Sequence, residues 1–181
     1  MWWAVFPSAW AKHADKLRRS AELLWIPLDH ALILQAPFSQ SDFELWDHVY
    51  AFLLVAGASL EAMFKAAAMQ AEIKRRGLAG ILKPNKTELQ DWILTHDLST
   101  LARRASIALS EIELAQLARF TKYVVWAGSY PVPKNLMEQR PNATITLDFQ
   151  VSNFDKVWFD RLYPKAEESY RQHESEMPKP Q

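Results

Sequence analysis

A long stripe of apolar side chains at helical spacing constrains this chain more than any other feature. Trp46, Val49, Leu53, Ala56, Leu60, Met63, Phe64 and Ala67 recur at three and four, the period that stacks side chains on one face of an α-helix. Phe52 and Val55 widen the stripe, so the helix is expected to be central and covered on more than one side. Ser41 with Glu44 offers it a capping box, in which each side chain satisfies the other's free backbone amide. Lys74-Arg75-Arg76-Gly77 marks its end. Cations suit the negative helix terminus and Gly suits a left-handed cap. At 181 residues, 49% hydrophobic and 23% charged, the chain is long enough to bury such a helix in one folded domain.

Flanking segments predict more helix. Trp10, Ala14, Leu17, Ala21, Leu24 and Trp25 share a face, and Pro27 is expected to end that helix, because a residue before Pro avoids the helical region. Residues 28–40 then read as a connector, with Ala31 to Leu34 a short buried or strand-like piece. Thr87 with Gln90 is expected to open a short helix through Leu94. Asp97 is expected to cap the next, with Leu98, Leu101, Ala102 and Ala105 inward. Ser110 with Glu113 is a third capping box. It starts a helix carrying Leu114, Leu117, Ala118, Thr121 and Val125 inward and closed by Gly128. Residues 144–149 alternate weakly and give an extended segment. A last helix over 152–173 turns Phe154, Val157, Trp158 and Leu162 inward, with Pro164 expected to break or kink it. Residues 174–181 read as a flexible tail. The expected fold is an all-α, antiparallel bundle of about five helices in a single domain, 1–181.

Composition narrows the chemistry. The formal net charge is zero, so no global field draws the protein to nucleic acid or membrane. The absence of Cys excludes disulfides and thiolate catalysis. Met1-Trp2-Trp3-Ala4-Val5-Phe6 lacks a basic lead-in and does not read as a signal peptide. The apolar run from Val49 to Leu60 falls short of the roughly 20 residues a membrane span needs, so the expected compartment is the cytoplasm. The five His residues contain no i,i+4 pair, and neither a metal nor a cofactor is expected.

Three local features carry what chemistry there is. Glu61 and Lys65, four apart, make an ordinary helical ion pair worth roughly 0.3 kcal/mol, or a charged contact between helices. His96 stands just before the Asp97 cap, as a packing or surface residue or as a general base. In Trp126-Ala127-Gly128-Ser129-Tyr130-Pro131, Trp126 and Tyr130 are packing anchors or stacking surfaces for a base. Arg103 and Arg104 sit at a helix end and are candidate partners of a phosphate.

These features occur in the order found in the HEPN family of helical domains, which the chain resembles over roughly Ser41 to Pro133. A Glu and a Lys lie four apart on a long alanine-rich helix (Ser59-Leu60-Glu61-Ala62-Met63-Phe64-Lys65-Ala66). A His-Asp-Leu helix start follows (His96-Asp97-Leu98). An aromatic-rich helix end then runs into Gly128-Ser129-Tyr130-Pro131, an Arg-Tyr-Pro element in many relatives. The resemblance implies a core over 41–133 and a protein that is usually dimeric. It also implies a toxin–antitoxin or phage-defence setting and a nucleotidyltransferase-like partner. Many members are metal-independent ribonucleases with an Arg, four to six residues, then a His, a spacing this chain lacks. Ser129 stands where the Arg often is, and a hydroxyl replaces neither the charge nor the donor fork of a guanidinium. The expectation is therefore a non-catalytic binding or regulatory module. The alternatives are an atypical ribonuclease using His96 with Arg103 or Arg104, and a domain that binds RNA or a nucleotide through Trp126 and Tyr130.

Overall fold

A computed structural model describes residues 6–33, 43–126 and 153–175, with backbone alone for 30–33, 43–47, 49, 50, 126, 153 and 154. The described residues form an all-α bundle of five helices: α1 (Pro7–Ile33), α2 (Phe43–Arg76), α3 (Leu98–Arg104), α4 (Glu111–Trp126) and α5 (Asn153–Ser175). Single 3₁₀ turns lie at Leu78–Gly80 and Asp91–Ile93. No strand occurs among the described residues, which hold one isolated antiparallel bridge, Leu82 to Leu89.

The centre is α2, as its stripe requires. Every residue from Ser59 to Gln70 is buried, and α2 touches each of the other four helices. By length and composition, Ala51–Arg76 is apolar enough to cross a membrane, but most of that stretch is buried inside the fold, as befits a core helix. Helix α1 runs antiparallel to α2. Trp25 meets Phe52 with ring centroids 4.8 Å apart, and the Ser59 hydroxyl donates to the Ala14 carbonyl at 2.9 Å. Helix α5 runs parallel to α2, with Phe159 against Phe52 at 6.2 Å and Tyr170 beside Met63. Helix α4 runs antiparallel to α5: Glu113 pairs with Arg161 and Lys165 at one end, and Arg119 with Asp155 at the other. Where α4 crosses α2, a Cβ added at Gly57 would lie 2.7 Å from Val124 Cγ2.

Neither proline interrupts its helix, contrary to the sequence reading. Pro27 lies within α1, which continues to Ile33, so the expected connector begins later and Ala31 to Ile33 are helical rather than strand-like. A helical Pro frees the carbonyl four residues before it. Here that residue is Leu23, which is not packed into the core but 68% exposed. Leu28, fully buried one residue on, rewards continuing the turn. Pro164 lies inside α5 in the same way, four residues after the exposed Asp160. That helix reaches Ser175, two residues into the expected tail.

Three further expectations shift. Gln90 makes no side-chain cap: its amide donates to the Leu82 carbonyl at 2.8 Å and closes a compact loop instead of opening an α-helix. The inward face of α4 is Glu113, Leu117, Phe120 and Tyr123, while Ala118 and Val125 are exposed. On α5, Leu162 is buried as expected but Val157 is exposed, its place taken by Asp155, Phe159, Tyr163 and Ala166. Gly77 does close α2, with φ 68 and ψ −170, a region that essentially only Gly occupies rather than the left-handed helical one. Ser41, residues 34–42 and the extended segment at 144–149 lie outside the described residues, as does Ser152. The side chain of Glu44 does too, and so does that of Phe154.

Candidate functional site: a buried ion pair that holds a surface histidine

A buried pair of opposite charges lies on α2. Glu61 and Lys65 are 8% and 4% exposed, and the Lys65 ammonium donates to Glu61 Oε1 at 2.5 Å. Helical spacing alone brings the two together, yet burial changes their meaning. Two charges removed from water cost several kcal/mol each unless further contacts compensate them. Two further contacts are present. The Lys65 ammonium lies 5.1 Å from the centroid of the Trp10 ring on α1, a cation–π arrangement. The second oxygen, Glu61 Oε2, faces His96 Nδ1 at 3.0 Å.

His96 reaches Glu61 because the loop before α3 is fixed. Asp97 caps α3, accepting from the Ser99 and Thr100 amides at 3.0 and 3.3 Å and from the Thr100 hydroxyl at 2.5 Å. Burial pushes the Asp97 carboxyl up, but these donors outweigh it and hold the group below the usual range. The Thr95 hydroxyl accepts from the Asp97 amide at 3.1 Å. The Leu98 amide donates to Thr121 Oγ1 on α4 at 3.1 Å. The buried Leu98, Leu101 and Ala102 then seat α3 in the core.

The result is a chain of contacts from the half-buried Trp10 through the buried Lys65 and Glu61 to the exposed His96. The His96 side chain is 56% exposed. Glu61 accepts, so Nδ1 carries the hydrogen and Nε2 is left as the free ring nitrogen. Nε2 has no partner among the described residues. Chemically, the arrangement presents one oriented nitrogen at the surface, able to accept a hydrogen bond or a proton.

The remaining candidates do not join it. Arg103 donates to the Ser99 carbonyl and the Thr100 hydroxyl at 3.3 and 3.2 Å. Arg104 stacks over Trp92 at 4.8 Å. Both sit at the far end of α3, roughly 10 Å from its start at 1.5 Å per residue. The Trp126 side chain, Ser129 and Tyr130 lie outside the described residues. No group of three or more acidic or His side chains fit to hold a metal occurs among the described residues.

Sequence reasoning placed Trp10 and Thr121 on inward faces but missed their contacts with Lys65 and Leu98, and it missed a second polar node. Glu113 is 2% exposed and completes the expected box, accepting from the Ser110 amide at 2.9 Å. It also accepts from Arg161 Nε at 3.0 Å and sits 2.8 Å from the Lys165 ammonium, both on α5. Lys165 first, then the Ser110 amide, hold its carboxyl down at about 2 against the opposing effect of burial. Only the Ser110 part has a local sequence signal. No protein-family model matches the sequence, and no curated protein or solved structure matches it.

Proposed function

We propose that this chain is a non-catalytic, HEPN-like binding or regulatory module that works as a homodimer and recognises a partner through His96. The observation that carries this reading is the imidazole itself: fixed at Nδ1 by Glu61, open at Nε2 and presented at the surface. A recognition point needs a polar group held by a supporting shell, and Lys65 with Trp10 supplies that shell. Glu61, Lys65 and His96 also come together in the order that gave the resemblance. A nucleotidyltransferase-like protein is the favoured partner over RNA or a nucleotide, since zero net charge provides no general attraction to phosphates.

Leu23 and Ile26 support the dimer. They are neighbours at i,i+3 on α1, 68% and 57% exposed, the apolar character found at the centre of protein interfaces. Light scattering at micromolar concentration is expected to give a dimer, and Leu23→Glu with Ile26→Glu a monomer. A wild-type chain that is strictly monomeric removes the reading.

His96 also has the geometry of a carboxylate-oriented general base, which favours the ribonuclease as the second reading. Against it, Arg103 and Arg104 are engaged elsewhere. An RNA oligonucleotide incubated with the protein is expected to stay intact. Cleavage by wild type that is lost in His96→Ala would replace the first reading with the second.

A further inference from the structure

A groove of 580 Å³ runs between the N-terminal half of α1 and the C-terminal half of α5, with Met63 of α2 among its walls. Its volume is that of a small-molecule site. At about 100° per residue, its α1 residues lie on the side of the helix away from Trp10, so the groove is separate from the His96 cluster.

Most charges in it are already neutralised. Arg19 binds Asp15 at 2.7 Å and Arg171 binds Glu167, while Glu174 accepts from the Tyr170 hydroxyl at 2.9 Å and keeps its charge, so four cations face three anions. Lys12 and Lys16 differ. Both line the groove, and neither has an ion-pair partner among the described residues. Four apart, they stand about 6 Å from each other at their Cβ atoms, close enough for both ammonium groups to reach one dianion. Ala11, Met63 and Tyr170 provide an apolar wall beside them.

We infer that this groove binds a small phosphomonoester, its phosphate held between Lys12 and Lys16 and its apolar or aromatic body laid against Ala11, Met63 and Tyr170. Two cations without acidic partners match a phosphate dianion, and the wall distinguishes an ester from the free ion. The inference is independent of the homodimer and of any role for His96.

Phenyl phosphate, inorganic phosphate and phosphatidylcholine vesicles carrying phosphatidic acid are the probes. Backbone-amide NMR of the full chain is expected to show saturable binding of phenyl phosphate, with shifts confined to residues 8–19, the neighbourhood of Met63, and residues 167–174. Inorganic phosphate, lacking the body, should bind about tenfold more weakly. Lys12→Gln with Lys16→Gln should cost phenyl phosphate at least about tenfold in affinity. Ala11→Leu keeps both cations but fills the wall, and should cost as much. Absence of saturable binding overturns the inference. So does an Ala11→Leu protein that binds like wild type, because the lysines would then act only as diffuse surface charge. Binding to vesicles without binding to phenyl phosphate overturns it too, in favour of a lipid surface.

Discussion

At the scale of single residues, Lys65 shows how a feature common in helices becomes exceptional by position. On a solvated helix the Glu61–Lys65 pair would contribute a few tenths of a kcal/mol. Between α1 and α3 it is buried, and removing one member strands the other in the core. Lys65→Met is therefore expected to lower unfolding free energy by about 3 kcal/mol in urea titrations. Adding Glu61→Gln should recover much of that loss, because a neutral amide costs far less to bury than an unpaired carboxylate. A Lys65→Met protein as stable as wild type would mean that the pair is solvated.

At the scale of elements, local chemistry places the helix starts and long-range contacts orient them. Asp97 and the Ser110–Glu113 box were legible because a cap involves only residues two or three apart, and the structure keeps both. The inward face of α4 was not. Leu114 and Ala118 have the right period, but Phe120 and Tyr123 offer larger surfaces, and the helix turns to bury them. Turning also buries Glu113, whose charge Arg161 and Lys165 then neutralise from α5. That placement makes α4 and α5 sensitive to acid. The carboxyl is held at about 2 against an ordinary 4.5, so its contribution is fully present above the ordinary value. It fades as pH falls from there through the folded value. The expected loss, discounted for the exposure of Arg161, is on the order of 2 kcal/mol. Urea titrations of wild type and Glu113→Gln should differ at neutral pH and converge toward pH 2, whereas a constant difference would contradict the assignment.

At the scale of the whole molecule, the described residues form an all-α bundle around one helix, and that much followed from the stripe on α2. The prolines misled because a helix can carry a Pro where the residue four before it lies outside the packed core, and Leu23 and Asp160 are both exposed. The candidate site was half legible. Glu61, Lys65 and His96 could each be singled out, but the 35-residue separation of Glu61 and His96 hides their contact from any local pattern. Trp10 reaches Lys65 from a different helix altogether. Three separated segments thus meet to fix one exposed imidazole, and that convergence is the central claim about what the fold does. Long-range ¹H–¹⁵N NMR of the His96 ring, in buffer alkaline enough to keep it neutral, tests the claim most directly. The hydrogen is predicted on Nδ1 in wild type, with that preference lost in Glu61→Gln. A hydrogen on Nε2 in wild type, or a ring unaffected by the substitution, would contradict it.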